Sequence, residues 1–340
     1  MAPTTTADRV ESRYSGAEPA LVWSLCTAAV KARSIQIVAR LGVADQIDRS
    51  PVAAADLAAA VDADPGALDR VLRMLATQGV FERSEAGYSH TPASRVLRSD
   101  HPQSMRPIAL MTGLPAWWGS VTELEHSIRT GSPAVETLEP KGLWAYFDAR
   151  PEEAAVFGRA MTAKAAAQIP AILDAYDFGS FGVIADIGGG RGHLLRAVLD
   201  AAPGAEGILF DLPEVIDAFD LDAQRISLQP GDFFSDHLPS ADAYLLMEVL
   251  HDWPDEDCVA ILSAIRRAAP PGACVLVIES VIEDLQDPRP PILDVLMLAI
   301  TGGRERTPDE LDELFDRAGF RKRAVTETRV AIRVVEAVAV

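Results

Sequence analysis

The chain has 340 residues, 49% hydrophobic and 24% charged, which gives apolar material for two domains of ordinary size. Its formal net charge of −19 argues against nucleic acid as the main partner, since phosphate binding rests on Lys and Arg, and it disfavours an anionic membrane. The three cysteines, Cys26, Cys258 and Cys274, have neither C-x-x-C nor metal-ligand spacing. No basic-then-apolar leader opens the chain, and no apolar run nears the ~18 residues of a membrane span. The expectation is a cytoplasmic protein without a metal.

The first ~15 residues are polar and read as frayed. Residues 19–47 are helical and apolar, with Gly42 as a stop. A short helix over 53–60, a turn at Asp64-Pro65-Gly66, a helix over 67–78 ended by Gly79, and a hairpin at 80–91 follow in the order of a winged helix. Residues 100–175 read as helices interrupted by Pro115, Gly131, Pro133 and Pro140. From Gly182 short apolar strands alternate with helices: 183–185, 207–210, 225–228, 243–250 and 273–278. That is the pattern of a parallel sheet covered on both faces. Thr307, Pro308 and Glu310 form a capping box that opens the last helix, Gly319 closes it, and strand-like runs at 322–326 and 330–338 finish the chain.

The loop Asp186-Ile187-Gly188-Gly189-Gly190-Arg191-Gly192 joins the first of these strands to a helix over 193–201. Glycines there let backbone N–H groups approach a ligand. The dinucleotide fingerprint fails, because its third glycine would fall on His193 or Leu195. This disfavours a nicotinamide dehydrogenase. Asp186 before the glycines would repel a pyrophosphate but suits an amino-acid head with a sulfonium. Asp211 ends the next strand, where a carboxylate can accept both ribose hydroxyls. Gly231-Asp232-Phe233 follows the third strand, offering an acid and a ring to adenine.

Asp186-x-Gly-Gly-Gly-x-Gly192, Asp211-Leu212-Pro213, Gly231-Asp232-Phe233-Phe234, His251-Asp252-Trp253-Pro254-Asp255-Glu256 and Gly302-Gly303-Arg304-Glu305-Arg306-Thr307 together resemble the class I small-molecule O-methyltransferases. These include caffeate-, isoflavone- and acetylserotonin-type enzymes and bacterial polyketide-tailoring enzymes. The likeness covers nearly the whole chain. It implies a Rossmann-like α/β sheet, mostly parallel with an antiparallel last strand, over residues 101–340. Residues 101–175 within it would be a helical linker with substrate-lining helices. It further implies a winged-helix dimerisation domain over 1–100, a homodimer, and S-adenosyl-L-methionine as cofactor. Gly188, Gly190, Asp211, Leu212, Gly231, Asp232 and Phe233 fall at the family's cofactor positions.

His251 follows the strand at 243–250, at the C-terminal rim of the sheet. A phenol has a pKa of about 10, and an imidazole near 6.5 can take its proton. The resemblance makes His251 the catalytic base and Glu279 and Glu305 the acids that hold its other nitrogen. Asp252 is expected either to bind cofactor or to brace the loop, and Trp253 to pack beside the adenine. Phe157, Met161 and Met297 match substrate-lining regions. One departure stands out: many relatives carry Lys four residues before the catalytic His, contacting cofactor, where this chain has Met247 followed by Glu248.

Two other classes compete. A winged-helix regulator should be basic, yet residues 51–98 hold five arginines against six acids. Some relatives of this fold hydroxylate or decarboxylate instead, a reading that the intact His251-Asp252-Trp253 disfavours. The expected acceptor is a small hydroxylated, aromatic molecule of secondary metabolism.

Overall fold

A computed structural model describes residues 16–217, 225–283 and 287–340. The polar residues 1–15, read from sequence as frayed, lie outside the described residues. The chain falls into two compact units, one of residues up to 115 with 152–163, the other of 116–151 with 164–340.

The first unit opens with α1 (Ala17–Cys26) and α2 (Ala28–Leu41), so the predicted single helical run is broken at Thr27, whose hydroxyl donates back to the Trp23 carbonyl at 2.8 Å. Gly42 ends α2 in the left-handed region, φ 69°. After α3 (Ala54–Ala60), α4 (Pro65–Thr77) begins two residues earlier than the turn reading placed it. The reason is local: Pro65 tolerates the first helical position, and the Asp64 carboxylate caps the helix through Ala67 N at 2.7 Å. The antiparallel hairpin β1 (Phe81–Ser84) and β2 (Gly87–His90) completes the winged-helix order. Val38, Ile47, Leu57, Leu72, Leu75, Phe81 and Tyr88 form its core. Two short helices, α5 (Pro92–Arg95) and α6 (Arg106–Thr112), follow. On α1 no residue is buried, and Leu21, Val22, Trp23 and Leu25 are exposed. Among the described residues no single helix is long and apolar enough to cross a membrane.

Helices α7 (Pro115–Thr122), α8 (Leu124–Thr130), α9 (Gly142–Asp148) and the long α10 (Pro151–Ala175) come next. The second unit is then built on seven strands: β3 (Val183–Ile187), β4 (Glu206–Asp211), β5 (Ile226–Pro230), β6 (Ala243–Met247), β7 (Cys274–Ser280), β8 (Phe320–Glu327) and β9 (Ile332–Ala339). Their order is β5-β4-β3-β6-β7-β9-β8, with β5 to β7 parallel and β9 antiparallel to both its neighbours. Side chains alternate between faces. Tyr244, Leu246, Val275 and Val277 pack on one side with α13 (Asp255–Ala268) and α15 (Pro308–Ala318). Leu245, Leu276, Ile184 and Leu209 pack on the other with α11 (His193–Ala201) and the short α12 (Pro213–Asp217). The sheet is thus buried on both faces, as the near-continuous apolar strands require.

β6 is shorter than expected. The sequence reading carried it to Leu250, but it stops at Met247. Glu248 donates its N–H to Ile278 O at 3.0 Å and then turns the chain at φ 54°. This left-handed backbone is costly for a residue bearing a side chain.

Candidate active site

In a doubly wound sheet, ligands bind at C-terminal strand ends where the strand order reverses. That point here lies between β3 and β6, since the chain winds from β3 to β4 and β5 on one side and returns to β6 on the other. The glycine loop leaves β3 and the His251 turn leaves β6, and the two loops touch: a Cβ on Gly188 would lie 3.2 Å from Val249 Cγ2.

The glycine loop is built so that no side chain fits at its centre. Gly190 has φ 56°, and a Cβ on Gly189 would come within 2.5 Å of both Asp186 Cγ and Leu209 Cδ1. Asp211, at the end of β4, reaches across and accepts from Gly190 N and Leu212 N, each at 2.7 Å. Burial pushes the Asp211 carboxyl up, against these two donors. Asp186 lies beneath the loop, 1% exposed, and neither of its oxygens has a hydrogen-bond partner among the described residues. Burial, and then the charge of Asp211, push its carboxyl up to about 7.

Beside the loop lies an aromatic cluster. Phe233, Phe234 and Trp253 meet edge to face, with centroids 4.8 to 5.8 Å apart. Gly231 N donates to Asp211 O at 2.9 Å, tying the end of β5 to the end of β4. The Asp232 carboxylate is turned inward on its own loop, accepting from Phe234 N at 2.9 Å and Ser235 Oγ at 3.3 Å. Leu212 is 40% exposed.

His251 sits on a 3₁₀ turn, Leu250–Asp252, and is 5% exposed. Its Nδ1 faces Glu305 Oε1 at 2.8 Å, and its Nε2 lies 3.8 Å from Asp252 Oδ1. Glu279 does not reach the ring. Its Oε1 accepts instead from the backbone N–H groups of Val249 (3.1 Å), Leu250 (2.6 Å) and His251 (3.2 Å). The expectation that Glu279 holds the imidazole is therefore corrected. Once Glu248 has turned the chain off the sheet, these N–H groups lose their strand partner, and the carboxylate is consumed by them. Burial lowers the His251 pKa, but Asp252, the Glu305 hydrogen bond and Glu279 outweigh it and bring the ring up to about 9. Burial also lifts Asp252 to about 6 and Glu279 to about 7.

The other side of the turn is held by Arg306, whose side chain is 1% exposed. Its guanidinium donates to Leu250 O (3.0 Å), Trp253 O (2.8 Å) and Asp255 Oδ1 (2.8 Å). Gly303 runs so close that a Cβ there would stand 2.0 Å from His251 O. Residues 303–306 thus form a template for the His251 turn, and Asp294 fixes that template through Glu305 N at 3.0 Å.

The family description "O-methyltransferase domain" matches residues 122–321, and "O-methyltransferase dimerisation domain" matches 23–100. The chain belongs to the O-methyltransferase family. It is 36% identical over 339 residues to the phenazine O-methyltransferase PhzM of Lysobacter antibioticus, covering 96% of this chain and 98% of that one. It is 35% identical over 315 residues to the mitomycin biosynthesis 6-O-methyltransferase of Streptomyces lavendulae, covering 90% of each. Among solved structures it is similar to an O-methyltransferase of neocarzinostatin biosynthesis in complex with S-adenosyl-L-homocysteine and 1,4-dihydroxy-2-naphthoic acid. That similarity has a TM-score of 0.78 at 35% identity, covering 91% of this chain and 96% of that one.

As a family member the chain is an S-adenosyl-L-methionine-dependent O-methyltransferase, and the residues at the sheet rim fit that cofactor. The buried, unpartnered Asp186 carboxylate, the side-chain-free cradle at Gly189 and the strand-end acid Asp211 are what a cationic ligand with ribose hydroxyls requires. Sequence alone gave no role to three residues at this rim. Phe234 joins the aromatic cluster. Arg306 stands in the Gly302–Thr307 motif between Glu305 and Thr307, where nothing in the sequence marks it as buried. Lys164 reaches Glu248 at 2.7 Å from an alanine-rich stretch of helix that gave no signal beyond its charge. Met247, in place of the family's lysine, packs against the apolar core below the sheet. Of the three residues matched to substrate-lining regions, Met297 on α14 (Arg289–Ile300) is 6% exposed in the second unit. Phe157 and Met161 are half-buried in the first unit.

Proposed function

We propose that this enzyme methylates a hydroxyl of a small aromatic secondary metabolite, with His251 as the general base. The observation that carries the reading is the imidazole at the C-terminal rim of β6, held at Nδ1 by Glu305 and leaving Nε2 for an acceptor. Bound at the rim, S-adenosyl-L-methionine supplies an electrophilic methyl group on a sulfonium. Asp211 and Leu212 would hold its ribose and Gly188 and Gly190 its amino-acid part. Asp186 would contribute negative charge from beneath the loop. Gly231, Asp232, Phe233 and Trp253 would surround the adenine, with Asp232 released from its own loop. Met297 would line the acceptor pocket.

Within this site each protein group has one task. His251 Nε2 takes the proton that the acceptor hydroxyl loses in becoming an ether. Glu305 accepts from Nδ1, so the ring presents its basic nitrogen outward and the charge it gains is stabilised. Glu279 and Arg306 fix the turn from its N–H and C=O sides, and Asp252 adds negative charge beside Nε2. The names of relatives acting on phenazine and mitomycin scaffolds, and the naphthoic acid bound in a neighbour, support an aromatic acceptor.

Incubating the enzyme with methyl-deuterated cofactor and a panel of mono- and bicyclic phenols tests this. The expected product is a deuterated aryl methyl ether; cofactor turnover with no ether across the panel would contradict the reading. Asp211→Ala should weaken S-adenosyl-L-homocysteine by about 10- to 100-fold in calorimetry, the loss of a charged hydrogen-bond partner. Unchanged affinity would place the ribose elsewhere.

Residues 1–100 would form the dimerisation domain of a homodimer and residues 101–340 the catalytic domain. The family match over 23–100 and the exposed apolar side chains of α1 support this division.

A further inference from the structure

Lys164, on the second-unit part of α10, places its ammonium 2.7 Å from Glu248 Oε1, and Gln168 Nε2 donates to the same oxygen at 3.2 Å. The pair stands at the start of the His251 turn, since Glu248 is the residue that turns the chain off β6, three residues before the base; Glu305 and Asp252, the two acids that flank the imidazole, also favour the Lys164 charge. Two costs are met here that the fold does not need. Glu248 keeps a left-handed backbone at φ 54° while bearing a side chain. A largely desolvated ion pair is also no more stabilising than apolar residues of the same volume. Strain and charge kept together at a functional rim point to use rather than to stability.

The chemistry of that use follows from the donors. Arg306 spends its guanidinium on Leu250 O, Trp253 O and Asp255. Lys164 has three N–H donors and gives one to Glu248, its one hydrogen-bond partner among the described residues. Its side chain is 27% exposed against 13% for Glu248, so the cation is the more accessible member. Burial opposes the charge, but Glu248, Glu305 and Asp252 keep the ammonium protonated.

We propose that Lys164 is an anion-recognising, specificity-determining residue. It binds a carboxylate carried next to the reacting hydroxyl, with Glu248 as the counter-ion that holds the ammonium until the acceptor arrives. This rests on the reading of His251 as the base at the acceptor site. It makes aromatic hydroxy acids, rather than neutral phenols, the preferred acceptor class.

The test is fluorescence titration of the enzyme, saturated with S-adenosyl-L-homocysteine, with 3-hydroxy-2-naphthoate and with 2-naphthol, which differ in the carboxylate alone. The naphthoate is expected to bind more tightly by on the order of 10-fold or more. Lys164→Met should abolish that difference and leave 2-naphthol unchanged. Glu248→Gln, which frees the ammonium without emptying the site, should tighten the naphthoate and not the naphthol, and it keeps the test open if Lys164→Met fails to fold. Equal affinities in the unaltered enzyme, equal weakening of both ligands by Lys164→Met, or no response of the naphthoate to Glu248→Gln would each overturn the proposal. Retention of the affinity difference with no methylation of either compound would leave the anion site standing and count against the acceptor reading instead.

Discussion

Replacing His251 by alanine is expected to lower kcat on an ordinary phenol by about 10²–10⁴-fold, the usual contribution of a general base, while leaving S-adenosyl-L-homocysteine affinity near that of the unaltered enzyme. The separation is expected because the ring is held by Glu305 and by the turn, whereas the groups assigned to the cofactor, Trp253 apart, lie at the ends of β3, β4 and β5 and in the loops that follow them. A pH dependence goes with it. Carboxylates on both sides bring the ring to about 9 in the ligand-free protein, and only the neutral ring accepts a proton. Activity should therefore rise with pH through the neutral range. Glu305→Gln keeps an acceptor for Nδ1 but removes a charge, so the imidazole pKa falls and the acid limb moves to lower pH. A limb that stays in place in Glu305→Gln would mean that another group sets it.

The second large effect is structural. Arg306→Met should destabilise the protein and lower turnover together. The guanidinium satisfies two carbonyls of the His251 turn and the Asp255 carboxylate. Asp255 is 41% exposed and can be hydrated when the arginine is lost. Leu250 O keeps two other donors, the Trp253 N–H and the Cys258 thiol, each at 3.1 Å, so the loss falls mainly on the charge-assisted bonds that the buried guanidinium made. At about 1.5–3 kcal/mol for a hydrogen bond to a charged group, and less where the carbonyl keeps another donor, the expected loss is about 2–4 kcal/mol. At roughly 2–4 °C per kcal/mol for a unit of this size, melting should fall by roughly 5–15 °C. Lysine should not rescue, since one ammonium cannot span two carbonyls and a carboxylate in the geometry of a guanidinium. A melting temperature within about 2 °C of the unaltered protein would show that water or neighbouring donors replace Arg306.

The fold was legible wherever a local signal and a tertiary need coincide. The capping box at Thr307 and Glu310 opens α15 as its residues dictate. The stop at Gly42 and the strand–glycine–helix turn at 183–193 are likewise local. β6 was read too long because Val249 and Leu250 are as apolar as the strand before them. What ends it is Glu248 in a left-handed conformation and a carboxylate 31 residues downstream that takes the next three N–H groups. The same long-range pairing explains the misplaced role of Glu279. Sequence position at the end of β7 brings it to the rim, but whether it meets a ring or a backbone depends on where the neighbouring strand turns. The roles of Arg306 and Lys164 were invisible for a related reason, as a charged residue between polar neighbours, or on a helix, carries no mark of its partners.

If His251 acts by removing a proton, the acidity of the acceptor decides how much the ring is needed. Methyl transfer by the unaltered enzyme and by His251→Ala should be compared across phenols of graded pKa, from ordinary phenols near 10 down to nitrophenols already ionised at the assay pH. A base is needed only where a proton must be taken. The expected loss is about 10²–10⁴-fold on the least acidic phenols, shrinking towards none on the ionised ones. A loss that is the same for every acceptor would contradict it, and would make His251 a residue that orders the site rather than one that moves a proton.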